Sequence, residues 1–127
     1  PAPDFQQVLQ DDVYQIMAAG RVPERPNMIK NTENAKIAAW WDRAFDIVPA
    51  DGGKGRGVHS VLEYFGLKPS EAMAFGDGNN DLEMFQALDY CVAMGNGSED
   101  LKKIAWATCG NCEDDGIYYF CKKNKLI

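Results

Sequence analysis

The sequence predicts an α/β fold in which a parallel sheet is covered by helices on both faces. From residue 54 onward, helical and strand patterns alternate strictly: helix, strand, helix, strand, helix, strand, helix. That alternation is typical of parallel sheets, because each pair of parallel strands needs a crossover helix. The glycine-rich run ADGGKGRG at 50–57 is the clearest break in the chain. We therefore expect two parts, residues 1–49 and residues 50–127.

The first part is the less regular one. Its predicted elements are, in order, a short helix at 3–10 capped by Asp4, a strand at 12–19, a loop with one helical turn at 21–34, and two antiparallel strands at 35–41 and 44–49 joined by Asp42 and Arg43. The joining pair lacks glycine, which weakens the case for a tight turn.

The second part carries the alternation. Its predicted helices and strands are helices at 57–65, 81–88, 98–104 and 114–123, and strands at 71–76, 90–94 and 105–109. Ser98 is the expected N-cap of the third helix. In the first helix, Val58, Val61, Leu62 and Phe65 share one face, and Gly66 ends it as a C-cap. The last helix is expected to turn its apolar residues inward, namely Ile117, Phe120 and Cys121.

Composition excludes several classes of function. Hydrophobic residues make up 46% and charged residues 25%, an ordinary globular balance, and the net charge is −6. Nucleic-acid binding needs a basic surface, so no nucleic-acid partner is expected. No apolar run approaches the ~20 residues that cross a bilayer, and no signal peptide opens the chain. The prediction is a cytoplasmic protein with no membrane partner.

The acidic run Phe75-Gly76-Asp77-Gly78-Asn79-Asn80-Asp81 contains the strongest candidates for a functional site. Asp77 follows a buried strand at its carboxyl end, where parallel sheets place their sites. Asn80 and Asp81 open the next helix. Two carboxylates, an amide and a helix N-terminus in one small volume suit a Mg²⁺–phosphate site. The alternative is a turn followed by a capping residue, which uses the same residue types.

Lys54 is the second candidate, because Gly53 and Gly55 on either side allow the chain to approach a ligand closely. An ammonium on a flexible stem is a compact counter-charge for phosphate. The alternative is a solvated surface lysine. The segment does not fit a Walker loop.

Together these segments carry a family resemblance. The stretch from Gly53-Lys54-Gly55 through the acidic run to Val92-Ala93-Met94-Gly95-Asn96 resembles the Cof-type, capped subgroup of haloacid dehalogenase-like phosphatases. The tail Glu113-Asp114-Asp115-Gly116-Ile117 is similar to that family's closing segment. The resemblance covers about residues 44–127. It implies the C-terminal half of a Rossmann-like core, preceded by a remnant of an α/β cap.

The resemblance also implies roles for individual residues. Lys54 would hold the nucleophile and the transferring phosphoryl group, and Asp77 would bind Mg²⁺. Asp81 would be the second acid of the motif, a catalytic residue in or near the metal's ligand shell. Asn80 would contact phosphate or orient the loop. Asn96 would face the substrate, or else serve only a turn.

The implied reaction is hydrolysis of a small phosphorylated metabolite through an aspartyl-phosphate, with Mg²⁺ as cofactor. The family's nucleophile lies in an N-terminal D-x-D-G-[TS] motif, which this sequence does not contain. The chain alone is therefore expected to be inactive. Half of the sheet would be missing, so we expect its exposed edge to be covered by an oligomer partner or by the missing N-terminal half.

Two other functions stay open on the sequence. One is a non-catalytic interaction module that binds Mg²⁺ or phosphate. The other is a thiol redox or metal protein that uses the C-x-x-C pair Cys109 and Cys112. The only histidine, His59, is distant in sequence, and free thiols are the usual state of cysteines in a reducing cytoplasm.

Overall fold

A computed structural model of the chain describes residues 5–8 and 10–127. The chain forms two compact units, Pro1–Asp51 and Gly52–Ile127. Each is described by itself below. Within the described residues, no helix combines the length and the apolar character that crossing a membrane requires.

The first unit is built on a three-stranded antiparallel sheet. Its elements are α1 (Phe5–Val8), β1 (Ile16–Ala19), α2 (Arg25–Ile29), β2 (Ala35–Ala39) and β3 (Ala44–Pro49). The strand order is β1-β3-β2, so β3 is central. Phe45 on β3 is fully buried, and the guanidinium of Arg25 lies 5.2 Å from the centre of its ring. The same guanidinium donates a hydrogen bond to the carbonyl of Trp41.

The predicted antiparallel pairing of the segments at 35 and 44 is confirmed, but β2 is shorter than expected. It ends at Ala39, and residues 40–43 form the connection. A two-residue hairpin turn needs residues that accept positive φ, and Asp42-Arg43 lacks the glycine. The connection therefore takes Trp40 and Trp41 out of the strand, and both are exposed. The predicted cap Asp4 lies outside the described residues.

The second unit holds the parallel sheet. Its elements are α3 (Lys54–Phe65), β4 (Met73–Gly76), α4 (Leu82–Gln86), β5 (Tyr90–Ala93), α5 (Glu99–Ile104), β6 (Ala107–Thr108) and α6 (Gly116–Lys123). The strand order is β4-β5-β6, and both pairings are parallel. The predicted α/β class is confirmed.

Helices cover both faces of this sheet. Because side chains alternate along a strand, Ala74 and Phe75 point to opposite faces. Ala74 belongs to the core formed with α3, α4 and α5, whose buried members are Leu62, Ala74, Phe85, Leu88, Cys91, Ala93 and Leu101. On the other face, the ring of Phe75 meets that of Phe120 on α6 edge to face, with 5.7 Å between ring centres.

Helix α3 begins at Lys54, three residues before the predicted start. Gly53 precedes it with φ of 118°, which a glycine adopts without strain. Gly55 is buried, and a β-carbon there would come within 2.8 Å of the carbonyl oxygen of Glu83. The glycines that suggested a loop instead let α3 pass close to α4. The predicted C-cap is confirmed, since Gly66 has φ of 66°.

Other boundaries and orientations differ from the prediction. The segment expected to be helical over 81–88 is a 3-10 turn at Asn79–Asp81 followed by α4, and α6 begins at Gly116 rather than 114. Ile117, which was expected to face inward, is exposed, and so are Val61 and Phe65 of the predicted apolar face of α3. The Ser98 cap is confirmed: its Oγ accepts a hydrogen bond from the backbone N–H of Leu101 at 3.3 Å.

Candidate active site

Two loops meet at the carboxyl end of the sheet. The loop after β4 carries Asp77, and the loop after β5 ends at Ser98, the cap of α5. The N–H of Ser98 donates to the carbonyl of Asp77 at 2.9 Å, and its hydroxyl donates to the Oδ1 of Asn79 at 2.6 Å. Gly97 is buried between them, where a β-carbon would lie 3.3 Å from the Cα of Asp77. The site is therefore built on a fixed backbone.

Asp81 is the buried centre of this region. Asp81 is only 3% exposed to solvent. One carboxylate oxygen, Oδ2, accepts hydrogen bonds from the N–H groups of Asp77 at 3.0 Å and Gly78 at 3.2 Å. The other, Oδ1, accepts from the ammonium of Lys54. Gly76 makes the room, because a β-carbon there would lie 2.9 Å from the Asp81 carboxylate. Asp81 thus holds the acidic loop and α3 together.

Lys54 links the buried carboxylate to solvent. It is the first residue of α3, and its side chain is 50% exposed while that of Asp81 is 4% exposed. Half of the Lys54 side chain therefore stays exposed to solvent. The carboxylate that its ammonium contacts belongs to Asp81, within the acidic run.

Asp77 has the opposite character. Its N–H is bound by Asp81 and its carbonyl by Ser98, so its backbone is held on both sides. In contrast to Asp81, Asp77 is exposed to solvent. Within the described part of the chain, its carboxylate takes part in no hydrogen bond or ion pair. Asp77 therefore combines a held backbone with a carboxylate whose two oxygens are both available.

The two predicted amide residues differ in their surroundings. Asn80 is half-buried next to Asp81 in the 3-10 turn. The Oδ1 of Asn96 accepts a hydrogen bond from the N–H of Cys112 at 3.0 Å. Asn96 thus ties the loop after β5 to the segment that precedes α6, a long-range contact that the sequence did not predict. Facing a substrate stays a prediction for both residues.

The residues present fit a partial magnesium site. Mg²⁺ is usually held by one or two carboxylates, with waters and phosphate oxygens completing its shell. Asp77 offers one free carboxylate on a loop whose backbone is held on both sides. Both oxygens of Asp81 already accept hydrogen bonds, so we expect Asp81 to act on such an ion mainly through the loop it holds. Among the described residues, no three histidine, cysteine, aspartate or glutamate side chains are grouped to hold a metal.

Comparison with known proteins identifies the family. Residues 2–121 match the family model of haloacid dehalogenase-like hydrolases. The chain belongs to this family. The predicted resemblance is confirmed, and the chain corresponds to the C-terminal portion of the longer relatives.

The curated relatives include known and putative phosphatases. The chain is 36% identical over 102 residues to a putative phosphatase of Mycoplasma pneumoniae, a match that covers 80% of this chain and 36% of that protein. It is 35% identical over 91 residues to the 5-amino-6-(5-phospho-D-ribitylamino)uracil phosphatase YitU of Bacillus subtilis, covering 72% of this chain and 33% of that one. The chain spans about a third of the length of these relatives.

Solved structures of the family share the fold. The subclass IIB sugar phosphatase BT4131 superposes with a TM-score of 0.84 at 28% identity, over 97% of this chain and 47% of that one. The phosphatase BT1666 of Bacteroides thetaiotaomicron gives 0.84 at 25% identity, over 96% and 46%. This haloacid dehalogenase-like chain therefore corresponds to about half of each solved relative.

Sequence reasoning missed the residues that join the two loops. Asn79 and Ser98 connect them through side chains, and Gly97 allows the approach. The sequence identified Ser98 only as a helix cap. A signal was available in the sequence. Ser98 lies two residues after the A-M-G-N segment, and the strand that contains this segment neighbours the strand that leads into the acidic run.

The C-x-x-C pair of this family member lacks the setting of a redox site. Redox-active thiols have lowered pKa values. Burial raises the pKa of the Cys109 thiol, and the nearby Cys121 adds to the effect. Cys112 begins a 3-10 turn, and all four cysteines are free. These observations disfavour the thiol redox function.

The thiols are expected to differ sharply in reactivity. Burial, and to a lesser extent Asp89, raises the pKa of Cys91 to about 11, whereas Cys112 is exposed. The thiolate is the nucleophile, so Cys91 should react with iodoacetamide at pH 8 at least roughly 100-fold more slowly than Cys112. Mass spectrometry of the time course measures this. Comparable rates for the two thiols in the folded chain would contradict the placement of Cys91.

Proposed function

We propose that this chain is the C-terminal half of a Mg²⁺-dependent phosphatase that hydrolyses small phosphorylated metabolites. The arrangement of Lys54, buried Asp81 and free Asp77 at the carboxyl end of β4 carries the proposal. It combines a cation for a phosphoryl group with a carboxylate for a metal ion. The phosphatases among the relatives support the choice of substrate class.

Each residue has one task in this proposal. Asp77 binds Mg²⁺, which when bound neutralises negative charge on the phosphoryl group. Lys54 places a second positive charge beside the same group. Asp81 orients Lys54 and holds the Asp77 loop, and in that sense completes the metal site. Asn80 contacts phosphate oxygens, whereas Asn96 supports the neighbouring loop and lies at the substrate's edge.

The covalent step requires a carboxylate that this sequence does not supply. The family motif D-x-D-G-[TS] is absent, so the aspartyl-phosphate would form on an aspartate outside residues 1–127. The chain alone should therefore bind but not turn over phosphate esters. The first unit is proposed to be the remnant of the cap, and the whole protein is proposed to work in the cytoplasm.

A second function follows if no nucleophile is ever supplied. The fixed loop and the free carboxylate of Asp77 would then serve a non-catalytic module that binds Mg²⁺ or phosphate. The same residues would serve both functions, so only a measurement of turnover distinguishes the phosphatase from the non-catalytic module.

A chimera tests the proposed phosphatase function. The matched region of the sugar phosphatase BT4131 is replaced by residues 1–127, and hydrolysis of p-nitrophenyl phosphate is followed with and without Mg²⁺. We expect Mg²⁺-dependent turnover by the chimera and none by the chain alone. Circular dichroism establishes that the chimera is folded. A folded chimera without turnover, or turnover by the chain alone that Asp77→Ala abolishes, would contradict the proposal.

A further inference from the structure

The hydroxyl of Ser98 makes two hydrogen bonds of different kinds. Its oxygen accepts from the backbone N–H of Leu101 at 3.3 Å, which caps α5, and its proton goes to the Oδ1 of Asn79 at 2.6 Å. A serine hydroxyl has one proton and two lone pairs, so the two bonds are compatible. An N-cap needs only an acceptor. The bond to Asn79 is therefore not explained by the capping of α5.

The bond between Asn79 and Ser98 joins the two loops of the candidate site. The two residues are 19 positions apart in the chain, Asn79 in the acidic run and Ser98 at the end of the loop after β5. Beside it, the N–H of Ser98 donates to the carbonyl of Asp77 at 2.9 Å. One residue of the second loop thus holds the acidic loop through its backbone and its side chain.

The close approach of the loops depends on Gly97. A β-carbon at this position would lie 2.9 Å from the carbonyl oxygen of Met94 and 3.3 Å from the Cα and the carbonyl oxygen of Asp77. These neighbours are backbone atoms, so they cannot turn aside as the end of a flexible side chain can. The loops are therefore in direct backbone contact at the residue that carries the free carboxylate.

This contact decides where the Asp77 carboxylate lies. Within the described residues that carboxylate has no hydrogen bond or ion pair, so its position is set by the backbone that carries it. A site binds its ligand less tightly in proportion to the time that it spends in other conformations. Loss of one hydrogen bond that holds the loop should therefore weaken cation binding by roughly 3- to 10-fold.

We propose that Asn79 and Ser98 form a positioning pair, which raises the affinity of Asp77 for a divalent cation by holding the acidic loop against the loop after β5. Both residues act through the backbone of Asp77 and not as ligands. The choice of Asp77 as the ligand rests on the proposed function. The pair itself rests on the contacts between the two loops.

The affinity of residues 1–127 for Mn²⁺, measured from the broadening of the Gly78 amide signal, tests the pair. Asn79→Ala removes the bond between the loops but keeps the cap of α5, and it should weaken binding by roughly 3- to 10-fold. Its thermal unfolding should match that of the unsubstituted chain. The matched control is Asn124→Ala, which removes an exposed amide that donates to the carbonyl of Phe120 at 2.8 Å and should leave the affinity unchanged.

Substitutions of Ser98 separate positioning from capping. Ser98→Thr keeps a hydroxyl that can donate and accept, so it should bind Mn²⁺ as the unsubstituted chain does. Ser98→Ala loses both bonds and should weaken Mn²⁺ binding as much as Asn79→Ala does, with an added loss of thermal stability. The double variant of Asn79→Ala and Ser98→Ala should bind no more weakly than Ser98→Ala, because both changes remove the same bond.

Hydrogen exchange without added metal reports the loop contact independently of the proposed function. The N–H of residue 98 donates to Asp77, so its exchange measures the opening of the contact. Asn79→Ala should accelerate it by roughly 3- to 10-fold. The amide of Met94, which donates to Gly76 within the sheet at 2.9 Å, is the internal reference and should exchange as before.

Two sets of results would overturn the inference alone. In the first, the unsubstituted chain binds Mn²⁺ at Asp77 and Asn79→Ala binds it equally well. In the second, Ser98→Thr loses as much affinity as Ser98→Ala. Absence of Mn²⁺ binding by the unsubstituted chain would instead contradict the proposed metal site and, with it, a pair that positions that site.

Discussion

Asp77→Asn should lower Mg²⁺-dependent hydrolysis of p-nitrophenyl phosphate by the chimera by about 10²- to 10³-fold, the usual cost of removing a preorganised charge-stabilising group. The amide keeps the shape of the side chain but loses the negative charge that attracts the ion. The backbone contacts of residue 77 with Asp81 and Ser98 do not involve its side chain. Stability should therefore be unchanged.

The matched control is Asp89→Asn, an exposed acid at the other end of β5. It removes the same charge outside the loop and should leave kcat/KM within error of the original. The prediction for Asp77 is wrong if Asp77→Asn and Asp89→Asn change kcat/KM equally. It is also wrong if the activities of the two variants remain equal as the Mg²⁺ concentration is raised.

Asp81→Ala should be the most destabilising substitution at the site, costing about 3 kcal/mol of the free energy of unfolding. It leaves the N–H groups of Asp77 and Gly78 without their acceptor and removes the ion pair with Lys54. Asp81→Asn keeps an acceptor oxygen and should cost about half as much. Urea unfolding, followed by the NMR signals of β5, gives both values.

A surface pair serves as the comparison for Asp81. Asp100 and Lys103 form an ion pair at 2.9 Å, with side chains 61% and 71% exposed. Asp100→Asn should change stability by at most about 1 kcal/mol, because exposed pairs contribute little. If Asp81→Ala costs no more than Asp100→Asn, Asp81 does not hold the loop as described.

The sequence was sufficient for the fold class because the alternating pattern after residue 54 is unambiguous. It was less reliable for the limits of α3. Glycines at 53 and 55 normally indicate a loop, but here Gly53 caps the helix and Gly55 allows contact with α4. Such a contact depends on a residue almost thirty positions away, and no local pattern contains it.

The apolar face of α3 shows a different limit. Periodicity placed Val58, Val61, Leu62 and Phe65 on one face, yet of these four only Leu62 is buried. A helical pattern predicts which residues form the apolar face of a helix. It does not predict whether the rest of the chain covers that face. The exposure of Val61 and Phe65 is what half of a larger sheet would produce.

The two aspartates of the acidic run could not be separated by sequence. Both are acids in one loop, four residues apart, and both were expected to bind the metal. The fold distinguishes them, because Asp81 is buried with both oxygens accepting hydrogen bonds while Asp77 is exposed with a free carboxylate. Direct ligation by Asp81 stays a prediction.

Site-specific NMR broadening by Mn²⁺, used as a paramagnetic substitute for Mg²⁺, tests the central claim most directly. It detects weak binding and reports position along the chain, so residues 1–127 can be used as they are. We predict that the amide signals of Asp77 and Gly78 broaden first, and that Asp77→Asn removes this effect. Broadening that starts instead at the acidic segment 113–115, or that persists at Gly78 in Asp77→Asn, would contradict a metal site at the end of β4.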